Sequence, residues 1–241
     1  MDHTNNSCCC GEAEHFSGCL ICGAPITYRA ESSIQTCSIC HKEQLTNAVC
    51  ENGHFICDAC HSYGTYAPVI TTLRDSTEKD ALLLLEKIMD LPSVHMHGPE
   101  HHAIVPCVLL TAFRNNGEHM DYDAALSEIC KRAKQVPGGT CGYWGVCGAA
   151  AGAGVFMSVM TGSGPLHKDA WPFPQKLVSV ILSRLAEVGG PRCCKRTSRI
   201  AIEETVRFYS QFSSVKIPLS SVTCKYCAEN RECIEEDCPY Y

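Results

Sequence analysis

Twenty cysteines in 241 residues, eight of them in C-x2-C pairs, constrain this chain more than any other feature. Such a pair sets two sulfurs on one tight turn facing a single point, which suits a metal ion better than a disulfide framework. The start, MDHTNN, lacks the charged and apolar regions of a secretory signal. The expectation is therefore a chain of reduced thiols in the cytoplasm.

Four ligand pairs follow one another near the amino terminus: Cys19 with Cys22, Cys37 with Cys40, Cys50 with His54, and Cys57 with Cys60. Eight ligands suit two tetrahedral zinc ions. Only two residues separate His54 from Cys57, so the third and fourth pairs leave one short loop in different directions. Alternate pairs are then expected to share ions in a cross-brace. This metal topology resembles cross-brace zinc domains such as RING and its relatives. In so short a segment the ions would replace a core too small to form alone, with the docking of a partner as the further role. His41 and His61 are left over and are expected to support the ligands or lie at the surface.

Hydrophobic residues make up 45% of the chain and charged ones 19%, enough for a packed core in one or two domains. A net charge of −6 offers no basic face for nucleic acid. Residues 140–166 carry no charge, but they hold seven glycines and lack flanking anchors, so a buried helix is expected there and not a membrane span. The expected fold is mainly α: a helical bundle core, an amino-terminal cross-brace-like zinc module and a carboxyl-terminal cysteine-rich metal clip. The expected boundaries are a flexible tail at 1–17 containing Cys8, Cys9 and Cys10, the zinc module at 18–66, an extended linker at 67–76, the core at 77–216 and the clip at 217–241.

Within the core, helices are expected from Thr77 to Asp90 with Thr77 as cap, from Pro99 to Phe113, over 121–136, over 147–160, over 175–188 and over 197–212. Pro106 should kink the second. Gly148 and Gly152, four residues apart, should let another backbone approach the fourth closely.

Three motifs in this core carry chemistry. HMHGPEHH sets His95 and His97 on one side of an extended segment and His101 and His102 in the first helical turn, beside Glu100. His95 and His97 are candidate metal ligands, and His101 and His102 are candidate catalytic bases. The glycine-dense turn around Cys141 and Cys147 exposes amides that favour a thiolate or an anion, or else simply packs helices closely. GGPRCCKR surrounds Cys193 and Cys194 with Arg192, Lys195 and Arg196, cations that should lower a thiol's pKa and favour the nucleophilic, metal-binding thiolate. Cys193 and Cys194 are thus candidate catalytic residues as well as ligands, with two buried packing thiols as the alternative. Finally Cys224, Cys227, Cys233 and Cys238 place four sulfurs in fifteen residues, spaced for zinc or, given the final Cys-Pro, for an iron–sulfur cluster.

The segments HGPEHH-x-IVP, PGG-x-CG-x2-G-x-CGAA-x-GAG, GGPRCCKR and the terminal CPYY together resemble domain-of-unknown-function family 5714, over nearly the whole chain. The resemblance implies association with S-adenosylmethionine-dependent methyltransferases. This chain has no nucleotide-binding half, so that cofactor would come only through a partner protein. More distantly, Cys107 with VLLTAF, then PGG and CGAAAGAG, is similar to the cysteine-rich C-GCA-x2-G-C-C helical proteins, presumed redox-active. That similarity implies Cys107, Cys147 and one of Cys193 or Cys194 as a shared inner site.

Three functions follow from these expectations. The first is an iron–sulfur or mixed-metal redox enzyme, or a sulfur- or one-carbon-handling enzyme, built on Cys141, Cys147, Cys193 and Cys194 with the histidines. The second is a zinc-stabilised interaction protein serving as partner subunit to a methyltransferase or redox enzyme. The third is a metal carrier or sensor.

Overall fold

The computed structural model describes residues 18–241, so the tail expected at 1–17, with Cys8, Cys9 and Cys10, lies outside the described residues. The described chain is mainly helical, with one two-stranded antiparallel ribbon. The ribbon is β1 (Ile26–Thr36) and β2 (Glu43–Cys50), paired from Ile26 with Cys50 to Thr36 with Glu43 and interrupted by a register shift between Tyr28 and Ser33. It is exposed along most of its length, and its ends carry cysteine turns. A short helix α1 (Asp58–His61) leads from the last of these turns into the core.

The core is organised around α4 (Glu100–Asn115), in which every residue from Glu100 to Phe113 is buried. A helix buried all round must be covered on every side. Here α2 (Tyr66–Asp75), α3 (Ala81–Met89), α5 (Tyr122–Ala133), α7 (Gly148–Thr161) and α9 (Cys194–Tyr209) all pack against it. A short α6 (Thr140–Tyr143) and the longer α8 (Pro172–Val188) complete the bundle, α8 lying against α7 and α9. The helix runs through Pro106 without interruption. No described helix is long and apolar enough to cross a membrane; the uncharged stretch forms α6 and α7.

The close approach expected at Gly148 and Gly152 is present. A Cβ on Gly152 would lie 2.3 Å from the His102 carbonyl oxygen, and one on Gly148 would lie 2.1 Å from the His102 ring. Glycine here lets α7 press directly onto α4.

Three boundaries differ from expectation. Residues 67–76 form most of α2 rather than an extended connector, because Val69 and Leu73, one turn apart, are buried against the core. The β-branched run after Pro68 suggests extended chain, but tertiary burial overrides that preference. The cap of α3 is Asp80 instead of Thr77: its carboxylate accepts from the amides of Leu82 and Leu83 at 2.9 and 3.0 Å. Helix α9 starts at Cys194, with the Cys193 sulfur accepting from the Arg196 amide at 3.4 Å, so Lys195 and Arg196 sit inside its first turn.

Candidate metal centres

Two four-ligand groups occupy the amino-terminal module. Cys19, Cys22, Cys50 and His54 form one, Cys37, Cys40, Cys57 and Cys60 the other, each with its ligand atoms within 4.8 Å of one another. The first and third pairs therefore share a site, and so do the second and fourth. The separations suit tetrahedral ligation, since bonds of about 2.3 Å put two sulfurs roughly 3.7 Å apart. Cys22 and Cys50 stand at 3.5 Å and Cys40 and Cys57 at 3.8 Å. His54 Nδ1 lies 3.3 Å from the Cys22 sulfur and 3.7 Å from that of Cys19. Backbone amides support the thiolates: Ile21 donates to Cys19, Asn52 to Cys50 and Cys57 to Cys37, at 3.3 to 3.4 Å. An amide hydrogen bond from Ala24, joined by the Asn52 side chain, brings the Cys22 thiol down to about 6. Burial opposes ionisation of Cys37, yet the amides of Cys40, Cys57 and Ile39 also bring it down to about 6. Both groups are thus arranged to hold a metal ion.

The module is tied to the core at several points. The Asp58 carboxylate accepts from the Gly138 amide at 2.7 Å, Thr65 donates to the Ser93 carbonyl at 2.6 Å, and Arg192 reaches the Tyr28 hydroxyl. Tyr28 also meets Tyr143, with ring centres 6.1 Å apart.

The histidine stretch lies where module meets core. Glu100 has a fully buried carboxylate: Oε1 accepts from the His95 amide at 3.2 Å and faces His95 Nδ1 at 2.9 Å, while Oε2 lies 3.3 Å from His61 Nδ1. Burial alone would raise this carboxyl, but the two imidazoles hold it well below its ordinary value. His97 turns away to the carboxyl-terminal segment, with Nε2 3.1 Å from the Asn230 side-chain oxygen and 3.4 Å from Glu232. His101 is buried with neither ring nitrogen hydrogen-bonded. His102 directs Nδ1 to the Val136 carbonyl at 3.0 Å and packs beneath Gly148. Burial lowers His97 to about 4 and His101 to about 3, so both are neutral at physiological pH.

Cys141, Cys147, Cys193 and Cys194 were expected to form an inner centre. Among the described residues these sulfurs belong to no set of three or more ligands within 4.8 Å. Cys147 accepts from the amides of Ala149 and Ala150 at the start of α7, and Cys194 from that of Gly98. Cys107 is 3.6 Å from Cys130, a partner that the sequence reading missed. Burial outweighs the cations of GGPRCCKR, although Arg196 favours the Cys193 thiolate and Arg192 that of Cys194. Lys195 donates to the carbonyls of Met89 and Val94 at 3.0 and 3.5 Å, and Arg196 to those of Gly189 and Pro191 at 2.9 and 2.6 Å. Burial dominates the thiols, raising Cys193 and pushing Cys194 up to about 12.

Cys224, Cys227, Cys233 and Cys238 likewise form no such set among the described residues. Cys224 lies against the guanidinium of Arg199, on the inner side of the segment. Two tyrosines anchor this segment, since Arg199 lies over the rings of both Tyr226 and Tyr240. Arg199 in turn is held by Glu86 through two hydrogen bonds of 2.6 and 2.9 Å.

A model described as a family of unknown function (DUF5714) matches residues 69–241, spanning most of the helical core and the carboxyl-terminal cysteines. Both four-ligand groups precede the matched region. No curated protein and no solved structure matches the chain.

Proposed function

The chain belongs to the family of unknown function DUF5714, and we propose that it is a zinc-stabilised interaction protein, the partner subunit of a larger enzyme, in which two structural zinc ions rigidify a docking module added to the family's helical core. The interleaving of the two four-ligand groups carries this reading. Each ion ties a distal turn of the ribbon to a later one, so a segment with little core of its own gains a fixed shape. Zinc is favoured over an iron–sulfur cluster there because one group includes a histidine and the ligand atoms surround a single point in each.

A rigid ribbon is of use only if something meets it. Ile34 and Leu45 form a cross-strand pair, and both are about two-thirds exposed, at 65% and 66%. Ile39 and Ile21, on the adjoining cysteine turns, are exposed as well. Apolar side chains grouped on one small module support a protein-binding face. A methyltransferase-type or redox enzyme is the partner that the family resemblance suggests. The alternative of an inner redox centre would require Cys141, Cys147, Cys193 and Cys194 to converge.

A photoreactive amino acid placed at position 34 or 45 in cells tests the docking face. Adducts to one protein from both positions, and none from position 187 on α8, are expected. Equal adducts from all three positions, or none from the ribbon, would contradict it.

A further inference from the structure

We propose that His61, His95 and Glu100 form a third metal site, one that binds a divalent transition ion through two imidazoles and a carboxylate and leaves coordination positions open to solvent. The three ligand atoms lie within 4.8 Å of one another. Their hydrogen bonding is incomplete in a telling way. His61 Nδ1 and Glu100 Oε2 face each other at 3.3 Å, both buried, yet neither makes a hydrogen bond. A ring nitrogen and a carboxylate oxygen this close without a well-formed hydrogen bond are what a cation would join once the nitrogen gives up its proton.

Two further observations point the same way. The Glu100 carboxylate occupies space that any side chain at position 98 would fill: a Cβ on Gly98 would fall 2.1 Å from Oε2. His101, next in sequence to Glu100, is fully buried with both ring nitrogens unpartnered. A buried imidazole with no partner costs free energy unless water or a ligand group at the site meets it.

The donor set separates this site from the other two. Four-ligand groups close their ions off, whereas two histidines and one carboxylate leave room for water, as in catalytic zinc sites and in ferrous sites. Exposure is graded accordingly: the carboxylate is at 0%, while the His61 and His95 side chains retain 19% and 24%. The open positions therefore face outward between module and core. Cys60, the last ligand of the second group, directly precedes His61, so filling that group also positions the first imidazole of the third site. The proposed site is part of neither the docking face nor the two structural centres, so either proposal can fail alone.

The test uses the full chain, purified anaerobically, stripped of metal and titrated with cobalt(II) as probe, with zinc(II) and iron(II) titrations in parallel. Cobalt in the thiolate groups produces strong sulfur-to-metal charge-transfer absorption. A further equivalent, bound with only weak d–d bands, is expected for the imidazole and carboxylate set. Glu100→Gln and His95→Gln should each lose that equivalent and keep the charge-transfer absorption of the other two. Gly98→Ala, which keeps all three ligands but crowds the Glu100 carboxylate, should weaken the same equivalent at least tenfold. The parallel titrations show which ion is held more tightly. Uptake that ends with the charge-transfer equivalents in the wild-type chain, or a third equivalent untouched in both ligand variants, would overturn the proposal. Because His95 is partly exposed, a folding defect in Glu100→Gln, visible as lost helical circular dichroism, would still leave His95→Gln to decide.

Discussion

His61 Nδ1, at the end of the module's last helix, stands 3.3 Å from Oε2 of Glu100 in the first turn of the most buried helix in the core. This contact links a cysteine-built segment outside the family's matched region to the helical bundle inside it. It also makes the module part of the core's chemistry instead of an appendage.

Removing metal should act unequally on the two parts. The module's ions stand in for a hydrophobic core, whereas the bundle has its own. Treatment with a strong chelator should open residues 18–61 to trypsin within minutes while most helical circular dichroism persists. Limited proteolysis with mass spectrometry checks this; simultaneous loss of both would mean that the bundle depends on the ions as well.

The glycine contact between α4 and α7 should be intolerant of a methyl group. At Gly152 the obstacle is the His102 backbone carbonyl, which cannot rotate away as a side chain can. Gly152→Ala is expected to cost about 3 kcal/mol, at the upper end for overpacking, with Gly142→Ala, where the space is open, as control. Urea denaturation of the two variants measures the difference.

Cys130 should be the most readily alkylated thiol of the bundle near neutral pH. A hydrogen bond from Cys107, with Lys134 and Arg74 nearby, brings it down to about 7, whereas the same hydrogen bond, and then burial, hold Cys107 well above its usual range. Its reaction rate with iodoacetamide should therefore rise through a midpoint near pH 7. In Cys107→Ala the midpoint should move upward, toward that of an ordinary thiol. Peptide mapping after pulses at several pH values follows both sites.

Glu86 should matter more than its position on an outer helix suggests. The Arg199 side chain is fully buried and Glu86 is its carboxylate partner, so Glu86→Ala would leave an uncompensated guanidinium. Breaking such a pair costs roughly 3–5 kcal/mol. Because Arg199 lies over Tyr226 and Tyr240, the variant should also loosen residues 217–241. Hydrogen exchange reports the local effect and thermal denaturation the global one.

The local part of this architecture was legible and the long-range part was not. Ligand turns such as Cys19 to Cys22 and helices such as α5 and α7 are written in spacings of a few residues. His61 looked spare because its neighbours, His95 and Glu100, arrive only through packing. Cys130 escaped notice for the same reason, its partner Cys107 lying on another helix. At the carboxyl terminus and at Cys193 and Cys194, density of cysteine suggested shared ions, and packing over long range governs where those sulfurs point. There the helix start and the tyrosine anchors direct Cys193 and Cys224 inward, and Lys195 and Arg196 satisfy backbone carbonyls. A charge beside a thiol lowers its pKa only where burial of the thiol does not outweigh it.

Anomalous diffraction from crystals of the full chain, recorded at the zinc absorption edge, bears most directly on the module. Two strong peaks are expected, one surrounded by Cys19, Cys22, Cys50 and His54 and the other by Cys37, Cys40, Cys57 and Cys60. Peaks centred instead among Cys224, Cys227, Cys233 and Cys238, or disulfides joining cysteines of the amino-terminal pairs, would contradict the cross-braced zinc module on which the account stands.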